Sequence, residues 1–392
     1  MALSRTWPCV TSCQSSTWIS GLPSTPASGQ IDAPPDRVLT TMGRNAMRQG
    51  IERFAPELDA IISISEPIKL LAEGFGGPKG PAEGPVWWHE GGYLLFSDIH
   101  NDRRMKYQPG AGVSVDQERT NHANGLTRDQ KGRLIACENA ARRVTRREHD
   151  GGVTVIMNSF QGQRLYRPND VVVRSDGCVY FTDPWTGTAA PHEWDRAFPG
   201  VFRVTPDLGT RTLLADDFIM PNGLAFSPDE TVLYVNDSRR GHIRAFDIAP
   251  SGTLAKHTDR VFADLRGDEP GVPDGMKVDT AGNVFCGGAG GIWIMDPTGK
   301  KLGRIVHGAN ATTNMAFGDD DGIRLAVKGR FRMEFRDRHE WIEEGEFIVV
   351  PRGVEHRPVA EEECWFLLFE PASTLNTGNI VNERTHRELE RV

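Results

Sequence analysis

Short runs in which apolar and polar residues alternate, bounded by glycine, aspartate and asparagine, dominate the chain from Leu70 to Phe317. Alternation with period two predicts strands with one face buried. Five runs share a design: Gly92–Asp98, Gly132–Glu138, Gly177–Asp183, Glu230–Asp237 and Gly282–Gly287. Their starts lie about 40 to 53 residues apart, close to the length of one four-stranded propeller blade. A second run trails several of them, as at Arg143–Arg146, His242–Asp247 and Gly291–Asp296. The pattern predicts an all-β ring of twisted sheets, with inner strands around a channel and loops at one end supplying a site. A jelly roll or sandwich has similar strand density, but the recurring spacing favours the propeller.

Polar segments stand ahead of these runs. They are Glu83-Gly84-Pro85-Val86-Trp87, Asn124-Gly125-Leu126, Arg167-Pro168-Asn169-Asp170, Pro221-Asn222-Gly223-Leu224 and Val272-Pro273-Asp274-Gly275-Met276. Carboxylates and carboxamides gathered at one point make an oxygen-rich cage, which suits a hard divalent cation such as calcium. Each residue also has a plainer reading. Asn-Gly and Asp-Gly are ordinary turns, Glu83 alone is a solvated carboxylate, and Arg167 alone is half of an ion pair. The joint pattern is what points to a site.

The flanks read differently. Met1 to Pro35 is rich in Ser, Thr, Pro and Gly, and residues 1–41 are expected to be a disordered extension. They lack the charged start and unbroken apolar stretch of a secretory signal, so a cytoplasmic location is expected. Residues 42–69 read as a linker with a short helical pattern from Arg48 to Leu58.

Composition narrows the function. A chain of 392 residues with 38% hydrophobic and 25% charged residues is that of a globular protein. Its net charge of −8 argues against a nucleic-acid partner. No stretch approaches the ~20 apolar residues of a membrane span. The six cysteines include no C-x-x-C pair, which argues against structural zinc. Cys137, Cys178 and Cys286 sit in strand-like runs and read as small buried hydrophobes. His122, His192 and His307 are isolated. No G-x-S-x-G element and no P-loop or dinucleotide fingerprint is present.

The segments EGPVWW, NGLTRDQKGRL, RPNDVVVRSDG, YFTDP, PNGLAFSPDE, PGVPDGMKVD and TTNMAFG closely resemble, in order and spacing, the gluconolactonase / senescence marker protein (regucalcin-like) family. The resemblance covers Leu70 to Phe317, and residues 70–321 are taken as that domain. It implies a six-bladed β-propeller with one divalent cation at the channel mouth and a lactone-hydrolysing activity. It implies Glu83, Asn169, Asn222 and Asp274 as metal ligands, with Ca2+ first and Zn2+, Mg2+ or Mn2+ as alternatives. Arg167 matches a substrate-contacting position, and Asn124 and Asp183 match pocket-facing ones. Two departures stand out. Thr182-Asp183-Pro184-Trp185-Thr186-Gly187 replaces the usual TDPPYG, and the family's final strands after TTNMAFG are absent.

From Gly322 the chain instead resembles the second half of a cupin. Gly345 to His356 reads G-E-F-I-V-V-P-R-G-V-E-H, but the H-x-H cluster of a first cupin motif has no counterpart upstream. Residues 322–392 are therefore read as a partial cupin segment with His356 as an orphan. The last blade is expected to be atypical, with Ile323–Val327 and Phe331–Phe335 either replacing its lost strands or leaving it incomplete.

These readings converge on a metal-dependent hydrolase that opens sugar lactones. A cation would polarise the lactone carbonyl. Asp274 is the leading candidate to take a proton from water, Asp183 is held in reserve, and Arg167 and Asn124 would orient sugar hydroxyls. The alternatives are a propeller that binds calcium or a sugar acid without turnover, and a poorly folded chimeric gene product.

Overall fold

The computed structural model describes residues 49–65, 68–76, 81–186, 198–318, 322–328, 331–336, 338–342, 347–350, 356–359 and 365–368. The expected extension over residues 1–41 lies outside them, as do His192 and, within the motif Gly345–His356, residues 345–346 and 351–355.

The chain divides into two compact units. The first spans residues 1–87 and 93–318, and its described residues form a ring of antiparallel sheets. It opens with strand β1 (Gly50–Arg53). The first blade is β2 (Ala82–Trp88), β3 (Tyr93–Asp98), β4 (Arg103–Gln108) and β5 (Gly112–Glu118). The second is β6 (Ala123–Arg128), β7 (Leu134–Glu138), β8 (Arg143–Arg147) and β9 (Val153–Met157). A small hairpin follows, β10 (Ser159–Phe160) and β11 (Gln163–Arg164). The third blade is β12 (Val171–Val173), β13 (Val179–Asp183), β14 (Gly200–Val204) and β15 (Arg211–Ala215). The fourth is β16 (Pro221–Phe226), β17 (Val232–Asp237), β18 (His242–Asp247) and β19 (Arg260–Asp264). The fifth is β20 (Met276–Val278), β21 (Val284–Gly288), β22 (Gly291–Met295) and β23 (Lys301–Val306), and β1 joins its outer edge.

The core lies between blades, as period-two strands with two buried faces require. Val144, Ile135, Phe181 and Phe202 fill the space between the second and third blades. Tyr180, Val201, Leu224 and Leu233 join the third and fourth. Tyr234, Ile243, Met276 and Cys286 join the fourth and fifth.

The helix expected from Arg48 to Leu58 is not formed. Gly50–Arg53 is a strand, in register Ile51↔Ile305 and Glu52↔Arg304, followed by a single 3-10 turn at Pro56–Ala60. An exposed edge on β23 offers backbone partners, and Arg304 adds a 2.7 Å ion pair to Glu52. Those tertiary gains outweigh local helical preference. Leu58, wholly buried, plugs the site between the turn and Leu302, and Gly303 leaves the room it needs.

A sixth position in the ring is filled, among the described residues, by residues 312–317 alone. Gly275 N–H donates to Thr313 O at 2.6 Å on the fifth-blade side, and Thr313 Oγ1 donates to Ala82 O at 2.7 Å on the first-blade side. Ala316 packs into the first blade's cluster, while Met315 and Phe317 pack into the fifth's. This alternation is that of an inner strand held between two neighbours.

The second unit, residues 319–392 with 88–92, holds two three-stranded sheets. Its strands are β24 (Gly322–Lys328), β25 (Phe331–Phe335), β26 (His339–Ile342), β27 (Phe347–Val350), β28 (His356–Val359) and β29 (Trp365–Leu368). One sheet runs β27-β24-β29 and the other β26-β25-β28. The expectation that Ile323–Val327 and Phe331–Phe335 rebuild the last blade is corrected by these pairings: both strands take their partners on each side from their own segment. Among the described residues no helix is long and apolar enough to cross a membrane.

Replacing Leu58 by Ala should cost about 2–5 kcal/mol, the range for emptying a buried leucine site. A urea unfolding curve whose midpoint stayed at the wild-type value would show that the 3-10 turn does not brace the fifth blade.

Candidate metal and active site

The polar segments ahead of each run converge because their glycines permit it. A Cβ on Gly84 would lie 2.2 Å from Asn124 O, one on Gly125 2.5 Å from Asn169 O, and one on Gly223 2.3 Å from Asp274 O. Each neighbour is backbone and has nowhere to go. A Cβ on Gly275 would meet a side chain instead, lying 2.0 Å from Asn314 Cγ. The glycines thus mark the close approach of each inner strand to the next, and the residue before each one stands at the channel: Glu83, Asn124, Asn222, Asp274. Asn169 and Asn314 complete a ring of six positions. The pairing registers of β6 and β16 shift at Asn124-Gly125 and Asn222-Gly223. Such irregularities re-aim side chains, so these Asn-Gly pairs are bulges within strands rather than turns between them.

A second device pins the carbonyls. Three inner-neighbour strands end in a polar residue followed by aspartate: Ser97-Asp98, Thr182-Asp183 and Asn236-Asp237. The first of each pair reaches the next blade. Ser97 Oγ donates to Asn124 O and Thr182 Oγ1 to Asn222 O, both at 2.7 Å, and Asn236 Nδ2 donates to Asp274 O. The aspartate holds the loop entering its own blade. Asp98 accepts from Gly76 N–H at 2.7 Å, Asp183 from Tyr166 N–H at 2.9 Å and Asp237 from Ile219 N–H at 2.7 Å. Where the second blade has Cys137 and the fifth Gly287 instead, glycine N–H groups do the pinning, Gly125 to Asn169 O and Gly275 to Thr313 O.

The acids are crowded. Glu83 is buried, and its pKa is pushed up to about 7, first by loss of solvent and then by the charge of Asp170. Asp170 is also raised by burial, with Lys277 opposing. Asp274 is held well above the ordinary carboxylate range by desolvation, then by Glu83 and Asp170. Its Oδ1 is enclosed and has no hydrogen-bond partner, as is Asn124 Oδ1. Asn222 turns its Nδ2 to Ser238 Oγ at 3.1 Å.

This chemistry fits a divalent cation. Repelling carboxylates and unpartnered oxygens are what such an ion satisfies. Among the described residues no group of three His, Cys, Asp or Glu side chains is placed to hold an ion, so an ion held here would need carboxamide oxygens as well. Arg167 is exposed and makes no ion pair among the described residues, which removes the plain salt-bridge reading. Asp183 is wholly buried in the same loop-holding position as Asp98 and Asp237, apart from the cluster of Glu83, Asp170 and Asp274. Sequence reasoning missed Asp170, Lys277 and Asn314. The signal for Asn314 was its place in the TTNMAFG segment, one blade beyond Asp274.

Fold and ring together define a β-propeller with an acid-and-amide site at one end of its inner strands. The sequence profile of the SMP-30/gluconolactonase/LRE-like region matches residues 81–328. The gluconolactonase of Zymomonas mobilis is 34% identical over 299 residues, covering 69% of this chain and 81% of its own. The pentonolactonase XacC of Haloferax volcanii is 28% identical over 251 residues, covering 62% and 80%. A solved gluconolactonase of Xanthomonas campestris aligns with a TM-score of 0.55 at 30% identity, over 74% of this chain and 86% of that one. The chain belongs to the SMP-30/gluconolactonase family.

Thr182→Val keeps the shape of the side chain but strands the buried Asn222 carbonyl and Asp170 N–H. It should cost about 1–3 kcal/mol, read from urea unfolding. An unchanged midpoint would remove the inter-blade staple from the account.

Proposed function

We propose that this chain is a sugar-lactone hydrolase working with one divalent cation at the channel end. The observation that carries it is the convergence of Glu83, Asp170 and Asp274 with carboxamides, Asp274 Oδ1 being left without a partner, in a chain of the gluconolactonase family. Glu83, Asn169, Asn222 and Asp274 would hold the ion. All donors are oxygen, which favours Ca2+ over softer metals.

When bound, the cation supplies Lewis-acid polarisation of the lactone carbonyl and offsets the negative charge that develops on its oxygen. Asp274 takes a proton from the water that adds to the carbonyl carbon. The ester C–O bond then breaks, the proton passes to the departing ring oxygen, and the product is the open hydroxy acid. As a ligand of the ion Asp274 is held ionised and acts as a modest base. Arg167, which is exposed, and Asn124 would orient sugar hydroxyls. Asp183 keeps the loop-holding role its contacts give it and is not proposed as the base.

Proton release from glucono-δ-lactone should exceed the spontaneous rate, cease with excess chelator and return with Ca2+. Asp274→Asn, which keeps shape and removes the base, should lower kcat by about 10²-fold or more. Full turnover in that variant, or in chelator, would refute the reading.

A further inference from the structure

Asn314 stands at the sixth ring position, but its carboxamide is turned the opposite way from a ligand. Met315 N–H donates to its Oδ1 at 2.8 Å and Lys277 Nζ donates to the same oxygen at 3.1 Å. Neither donor can accept, so the oxygen must face them and the nitrogen must face away. There Nδ2 lies 3.3 Å from Glu83 Oε2 and 3.5 Å from Asp170 Oδ2. The two hydrogens of one amide nitrogen meet two carboxylates. Lys277 is itself anchored, donating to Met276 O at 3.0 Å. Its charge is the cationic end of a chain that runs from ammonium to amide oxygen and from amide nitrogen to both acids.

We infer that Asn314, tethered by Lys277, is a positioning residue: a spacer that holds the Glu83 and Asp170 carboxylates at a fixed separation and thereby sets Glu83 for its ion. This rests on the reading that Glu83 binds a divalent cation. Asn314 has no oxygen left for that ion, so the sixth position serves the ring as a donor where its neighbours serve as acceptors. The spacer also explains why the inner segment 312–317 is held by hydrogen bonds on both sides although no sixth four-stranded sheet forms around it among the described residues.

The test is a cycle in the full-length chain. Asn314→Leu is near-isosteric and removes both donors. It should weaken Ca2+ binding, measured by calorimetry, about tenfold, and lower the melting temperature of the metal-free protein. A spacer has nothing to hold apart once one charge is gone, so in the Asp170→Asn background both losses should largely vanish. Equal losses in the two backgrounds would reduce Asn314 to a packing residue, and no loss in either would overturn the inference. Should Asn314→Leu fail to fold, Asn314→Ala in the same two backgrounds makes the same comparison. If no variant, wild type included, takes up Ca2+, Mg2+ or Zn2+, the cation reading fails, and the metal-free melting cycle still decides the spacer.

Discussion

The site depends on one contact repeated around the ring: a short polar side chain on one blade holding the backbone carbonyl of the channel residue on the next. Ser97, Thr182 and Asn236 make it for Asn124, Asn222 and Asp274. A buried carbonyl without a donor is costly, so each staple satisfies a group and fixes a functional residue in one step. It works only at the spacing the glycines allow. Blades any farther apart would break the bonds, and a Cβ at Gly125 or Gly223 would force that distance. Channel geometry and inter-blade adhesion are therefore the same interaction. Thr182 shows this most directly, since its hydroxyl donates to Asn222 O and accepts from Asp170 N–H at 3.2 Å, joining two channel residues through one atom.

The same economy governs the last ring position. What the acids require there is one amide nitrogen, and residues 312–317 deliver it while lying between the fifth and first blades. The outer layers that a complete blade would add do not reach the channel. Among the described residues, the strands that follow pair with one another in two sheets of their own.

Much of this was legible in the chain. Period-two runs at regular spacing gave five blades, and the residue types before each run gave the channel oxygens. What was not legible was identity of partner. Asp170 was visible only as the last residue of the Arg167–Asp170 segment, and contacts distant in sequence, such as that with Asn314 144 residues away, make it part of the cluster. Lys277 stands inside the PGVPDGMKVD segment with nothing local to mark it as the partner of Asn314. Asp98, Asp183 and Asp237 look alike in sequence and prove alike in structure, each holding an incoming loop. That likeness separates Asp183 from the acids of the channel. Gly50–Arg53 reads as helix because its fate is decided by an edge strand 252 residues downstream, at the Glu52–Arg304 pair, and no local pattern records it.

That last pairing has a bearing on biogenesis. The strand synthesised among the first must wait for the final strand of the fifth blade before it has a ladder to join. During translation the four earlier blades can assemble in order against one another, each on the face of its predecessor. Gly50–Arg53 spends that interval as an unpartnered β segment, and the first blade keeps one flank bare until residues 312–317 arrive. Long-range closure of this kind slows folding and leaves edges available to other chains meanwhile. The nascent chain is most exposed to misassembly just before its ring shuts, when nearly all of its architecture is already made.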